Sequence, residues 1–281
     1  MREGFSKIDM SENSEYKIIF SPEYEALKEE VEKLRTEVSM FLLEEDELRF
    51  TICKNIEAEY MAKIGGLEYR AYKKQCDVLR LKRKMEMIQA AVNRQEKADL
   101  EGIEKQLDLE FSQYQKNLDA QMDKMNEALR RLECEKLSKE DSKELKKLYR
   151  LIVKALHPDL HPEASRAQRQ LFENAVSAYK NGDLEALRAI YEVMGSPQET
   201  EDKTDTLKSL SEEKERLEKS LKAVKDDIDQ IKSRYPYTMK EILEDENKTE
   251  AKKEELKKLI EDYEGMAQSY QSRIEALLKE N

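Results

Sequence analysis

The sequence predicts an all-α protein in which long coiled-coil helical hairpins flank a small module of short helices. Three observations carry this expectation. Charged residues fill 40% of the 281 positions, against 38% hydrophobic residues and no tryptophan, a composition suited to helices buried along a narrow seam. Apolar residues recur at alternating steps of three and four over long stretches. Glycine and proline are scarce, and they fall where helices would start or stop. High charge with low hydropathy also marks disordered chains, but those do not sustain a helical period.

Residues 1–21 read as a flexible N-terminus. Ser21-Pro22 then opens a helix: serine caps, proline suits the first helical position, and Glu23 and Glu25 favour the helix dipole. Leu27, Val31, Leu34, Val38, Phe41, Leu48 and Ile52 form its stripe, broken at Glu45. Gly65-Gly66 is the expected tip of a hairpin spanning 22–136. The returning stripe runs through Ala71, Val78, Leu81, Met85, Ile88 and Val92. It slips register between Gln95 and Gly102, as a stutter or a bend would. It resumes through Ile103, Leu107, Tyr114, Leu118, Met125, Leu129 and Leu132. After a linker at 196–205, residues 206–281 carry the most regular heptads: Leu207, Leu210, Lys214, Leu217, Leu221, Val224, Ile228 and Ile231. Lys214 is the polar member that would fix register. Tyr235-Pro236-Tyr237 ends that helix. A second stripe follows, Leu256, Ile260, Tyr263, Ala267, Tyr270, Ile274 and Leu277, expected to fold back as a C-terminal hairpin or to pair between chains as a homodimer.

Residues 137–195 follow a different grammar. Ser138 precedes Asp141 by three, a capping-box-like start. Leu145, Leu148, Tyr149, Ile152 and Leu156 then share one helix face, and Lys143, Lys147, Arg150 and Lys154 share the opposite one. Between Lys143 and Leu156 stand five cations and one acid, within a chain of net charge -11. Cations at this spacing repel one another slightly, so the stripe points to an acidic partner, although solvated charged faces are common. His157-Pro158 halts the helix. Ala164, Ala167, Leu171, Phe172, Ala175, Ala178 and Tyr179 mark the next helix, which Asn181-Gly182 ends. Asp183 caps a third, Leu184 to Met194, closed by Gly195.

The run from Glu144 to His157-Pro158-Asp159 resembles helix II and the HPD loop of J-domain (DnaJ-like) co-chaperones. Phe172, thirteen residues beyond Asp159, and Ala178-Tyr179 are similar to that family's helix III. The resemblance is limited to about residues 138–190. It implies binding to a DnaK-type chaperone ATPase and stimulation of its ATP hydrolysis. The implied contact residues are Lys146, Lys147, Arg150, Lys154, His157, Pro158 and Asp159. The module itself would make and break no bond, so the chain is not expected to be an enzyme. The coils would supply oligomerisation or hold a protein client. The sequence departs from the family in three ways. No short helix I precedes the hairpin, so the coil from Met125 to Leu137 is expected to replace it, with Leu129 and Leu132 against Tyr149 and Ile152. Apolar Leu151 and Ala155 stand where cations are common, and Lys154 stands where an apolar residue is common. Neither a Gly/Phe-rich linker nor Cys-x-x-Cys repeats follow.

Competing functions fare worse. His157, Asp159 and His161 do not make a helical metal pair, because Pro158 and Pro162 interrupt them, and structural zinc takes four ligands. No nucleophile or glycine-rich phosphate loop accompanies His157. No cofactor is expected. Overall acidity disfavours nucleic acid, although Arg166 and Arg169 extend the basic segment. No apolar run would span a membrane. Three widely spaced cysteines, Cys53, Cys76 and Cys134, fit reduced thiols in a cytoplasmic setting. The main rival is a structural coiled-coil scaffold whose J-like module no longer couples to a chaperone.

Overall fold

The structure, a computed structural model, describes residues 21–133, 137–195 and 206–280. The expected flexible N-terminus through residue 20, Cys134 and the 196–205 linker lie outside the described residues. Among the described residues the protein is all-α, with no strand. None of these helices is long and apolar enough to cross a membrane.

One helical rod organises the molecule. It comprises α1 (Pro22–Glu47), α2 (Cys53–Tyr60) and α3 (Gly66–Asn93), joined by π-helical turns at Leu48–Ile52 and Met61–Gly65. At 1.5 Å per residue it spans roughly 100 Å. Ser21 caps it as expected, its hydroxyl accepting from the Tyr24 amide at 3.2 Å. Each π turn inserts a residue and so rotates the downstream apolar face around the axis. The face buried before the turns includes Val31, Val38 and Leu42; the face buried after them includes Ala71, Val78 and Ile88.

The expected tip at Gly65-Gly66 is not a tip. Both glycines are helical, with φ of −53° and −64°. Two glycines cost a helix only about 2 kcal/mol together, and Ile64 beside them is buried in a cluster with Tyr60, Ala71, Leu256 and Ile260. The chain instead reverses where the stripe slips register. Gln95 takes φ +57°, the Glu96 amide reaches the Ala91 carbonyl at 3.0 Å, and Asp99 caps the next helix through the Gly102 amide at 3.0 Å. Helices α4 (Leu100–Glu110) and α5 (Ser112–Glu133) return antiparallel. Lys84 to Glu104 at 2.5 Å and Arg80 to Asp108 at 2.7 Å fix that direction.

Of the two pairings expected for the C-terminal helices, the fold-back within the chain is not found. Helix α9 (Leu207–Lys232) and helix α11 (Glu246–Glu280) do not fold onto each other. A short 3-10 turn at Tyr237–Met239 and the short α10 (Lys240–Glu244) separate them, α9 lies along α1, and α11 lies along α3. Both pairings are parallel, because partner numbers rise together: Glu30 meets Lys214 at 3.0 Å, Glu37 meets Lys225 at 2.9 Å, and Glu44 meets Lys232 at 2.7 Å. Lys74 meets Glu264 at 3.0 Å further along. Lys214, the polar seam position, is thus paired across the seam. Cys53 and Cys76 are free and buried, and burial pushes both thiols up from the usual range.

The short-helix module sits on the α1–α9 end of the rod. It consists of α6 (Lys139–Leu156), α7 (Arg166–Asn181) and α8 (Leu184–Met194). Its core is continuous with the seam: Tyr149, Ile152, Val153, Phe172, Ala175 and Leu187 join Val38, Leu42, Leu217 and Val224 in one cluster.

Candidate functional site

Helix α6 begins as its sequence dictates. The Ser138 hydroxyl accepts from the Asp141 amide at 3.0 Å and donates to the Asp141 carboxylate at 2.8 Å, while Glu140 and Asp141 sit in the first turn. Leu145, Tyr149, Ile152 and Leu156 are buried and Leu148 is half-buried. Val153, absent from the expected stripe, is fully buried beside them. The Tyr149 ring stacks on Tyr179 with centroids 4.0 Å apart and planes 5° from parallel. Its hydroxyl donates to the Asp46 carboxylate of α1 at 2.6 Å. Burial holds Asp46 above the usual carboxylate range, and the Tyr149 hydroxyl opposes that shift.

The outward face carries the cations. Lys143, Lys147, Arg150 and Lys154 are exposed, and Lys147, Arg150 and Lys154 make no ion pair with the described residues. Lys146 lies one position off this stripe, toward the rod, and is paired with Glu47. A shallow groove of about 360 Å³ between α1 and α6 is rimmed by Lys143, Lys146, Lys147 and Arg150, with Glu47 as its acid.

At the end of α6 the backbone turns extended at His157, with φ −62° and ψ 131°. Pro158 is exposed, while His157 and Asp159 are half-buried. The His157 ring meets Phe172 edge-on at 5.0 Å, and its Nδ1 accepts from the Asp159 amide at 3.1 Å. An accepting Nδ1 requires the neutral ring. Burial accordingly pushes the His157 pKa down to about 4, against the pull of Asp159 and with a smaller push from His161. Two further side chains stiffen the loop. His161 Nε2 lies 2.8 Å from the Lys154 carbonyl; a carbonyl only accepts, so that nitrogen donates and satisfies an end of α6. Arg169 donates to the Pro162 carbonyl at 2.9 Å and to the Ala164 carbonyl at 3.1 Å.

The next helix starts later than its expected apolar face: Ala164 lies ahead of it, and Ser165 and Gln168, a reciprocal capping box not read from the sequence, open α7 at Arg166. Its end and α8 fall as expected. Gly182 takes φ +69°. Its amide reaches the Tyr179 carbonyl at 3.1 Å and that of Asp183 reaches the Ala178 carbonyl at 2.9 Å, the two bonds of a Schellman end. Asp183 then caps α8 through the Ala186 amide at 2.9 Å. Arg188 of α8 grips Glu144 of α6 with two bonds, 2.8 and 2.7 Å.

The expected substitute for a helix before the hairpin is corrected here. Leu129 and Leu132 are 42% and 43% exposed, because α5 packs on α2 and α3. Cover for Tyr149 and Ile152 comes instead from α1 and α8, whose Leu184, Leu187 and Ile190 enter the same core. The structure therefore gathers Lys147, Arg150, Lys154 and Pro158 on one open face. It turns Lys146 and Asp159 toward the rod.

Four residues at the site escape sequence reading. Asp46 and Glu47 belong to the acidic run Glu44-Glu45-Asp46-Glu47, whose interruption of an apolar stripe is a usable signal. Arg216 and Ser220 of α9 carry no such signal, yet both reach the loop. Ser220 donates to the Asp159 carboxylate at 2.7 Å, and Arg216 donates to the Asp159 carbonyl. Compared with known family models, with curated proteins and with solved structures, the chain matches none of them.

Proposed function

We propose that the 139–194 module docks a DnaK-type chaperone ATPase and stimulates its ATP hydrolysis. The observation that carries this reading is the open stripe of Lys147, Arg150 and Lys154, which runs into the proline-stiffened turn at His157-Pro158-Asp159. Exposed cations that make no ion pair with the described residues, in a chain of net charge -11, steer an acidic surface to one place. The turn then offers that surface a fixed neutral imidazole edge and an exposed proline ring. Coupling of this kind is allosteric: binding energy at the turn favours the hydrolysis-competent state of the partner.

The test is single-turnover ATP hydrolysis by a DnaK-type ATPase with the full chain added. Stimulation is expected, weakened by salt and lost in His157→Gln at unchanged circular dichroism. No stimulation with several such ATPases would sink the proposal. A second reading, a helical scaffold with an uncoupled module, is favoured by one specific observation. Lys146 and Asp159, two of the seven expected contact residues, are already engaged by the chain's own Glu47, Arg216 and Ser220.

A further inference from the structure

The contacts that favour the scaffold reading have a second meaning. Glu47 supplies an acid to a cation of α6, and Arg216 and Ser220 supply donors to the carbonyl and carboxylate of Asp159. An acid against a cation of α6, and donors against Asp159, are the kind of groups a docking partner would bring to the same positions. We propose that the α1–α9 pair is an internal competitor, holding the two ends of the α6 docking face until a chaperone ATPase displaces it. This rests on the docking function proposed above.

Three features of the molecule support competition. The grip is selective: the middle of the face, Lys147, Arg150 and Lys154, is left open for a first encounter. The competitor is rigidly placed. Helix α9 is fixed on α1 by buried Leu210, Leu217, Val224 and Ile228, so Arg216 and Ser220 reach Asp159 from a backbone that is already ordered. The grip is also light, since side-chain hydrogen bonds can exchange without unzipping the α1–α9 seam. Asp159 meanwhile has few groups to spare: its amide goes to His157, its carbonyl to Arg216, and one carboxylate oxygen to Ser220. A partner group that takes the carbonyl or the Ser220-bound oxygen of Asp159 therefore replaces an existing donor, which lowers the apparent affinity by the fraction of time the loop is free.

Titration of the labelled full chain with an ATP-loaded DnaK-type ATPase, followed by fluorescence anisotropy, tests this. Arg216→Ala/Ser220→Ala removes the donors, and Ser220→Glu places a repelling acid against Asp159. Amide exchange at 157–161 must rise in both variants without partner, which establishes release. Both should then bind about tenfold tighter than the wild type, the worth of a hydrogen bond to a charged group, and adding Asp159→Asn should abolish the gain. Equal affinity of wild type and released variants overturns the competition while leaving docking intact. Weaker binding by the released variants also overturns it, because α9 would then be bracing the loop. No binding by any folded variant defeats the docking function itself, and the competition with it.

Discussion

Two parallel seams hold the rod together, and they are built differently. The α1–α9 seam forms one continuous core with the short-helix module, and ion pairs among the described residues cross between its helices at Glu30–Lys214, Arg35–Glu213, Glu37–Lys225 and Glu44–Lys232. The α3–α11 seam is buried in two separate patches, one around Ile64, Leu256 and Ile260, the other around Ile88, Leu107 and Ile274. Among the described residues, Lys74–Glu264 is the ion pair that crosses it. Exposed pairs contribute only about 0–1 kcal/mol each, so their value in the first seam is register. A slip of one residue there would pull Arg216 and Ser220 away from Asp159. The second seam positions no such contact, and its helices are free of that requirement.

The contrast breaks most readily at matched leucines. Leu217→Ala, fully buried in the first seam, should cost about 3–5 kcal/mol in a denaturant melt, whereas Leu256→Ala in the smaller patch should cost about 2–3 kcal/mol. Equal losses would erase the distinction. The Leu217 variant should also loosen α7, seen as faster amide exchange at Phe172 and Ala175; the Leu256 variant should not.

A pH slope separates the seams next. The folded-state pKa of His157, about 4, lies below its ordinary 6.5. Its contribution is therefore complete above pH 6.5, and it is lost as pH falls from 6.5 through 4. Thermal melts across that window should show the module end weakening more steeply in the wild type than in His157→Gln. An identical slope in the two proteins would mean that the imidazole is not held neutral.

The smallest expected effect lies at the joint between the seams. Gly66 is helical, and a Cβ there would meet nothing within 4 Å, so Gly66→Ala should stabilise by about 0.5–1 kcal/mol. Destabilisation in the same melt would restore the hairpin tip that the glycine pair suggests.

Local signals were the legible ones. Ser138, Pro158, Gly182 and Asp183 each act on amides and carbonyls within one turn, so both ends of α6, the end of α7 and the start of α8 fall where the residues place them, while the start of α7 does not. The all-α class and most of the seam residues follow equally from the period. Choice of partner was not legible, because a narrow leucine stripe suits any other. The heptads from Leu210 to Ile228 do not by themselves name α1 as their partner, and charge pairs such as Glu30 opposite Lys214 become readable only once the two helices meet. The glycine pair misled because a helix breaker acts weakly against the packing of Ile64 and Tyr60. At the candidate site the open cations were readable from α6 alone. The groups that engage Lys146 and Asp159 come from distant segments, and one sequence does not show which segments meet.

Chain separation at the first seam has a consequence for the order of assembly. Arg35 and Glu213 stand 178 positions apart, and Glu44 and Lys232 188 apart, whereas Arg188 and Glu144 are only 44 apart. Closing the longer loops carries the greater entropic delay, so the three short helices should consolidate before α9 arrives. For that interval the turn at Pro158 would lack its α9 contacts, and a nascent chain not yet extended past residue 206 would present it held by His161 and Arg169 of its own module.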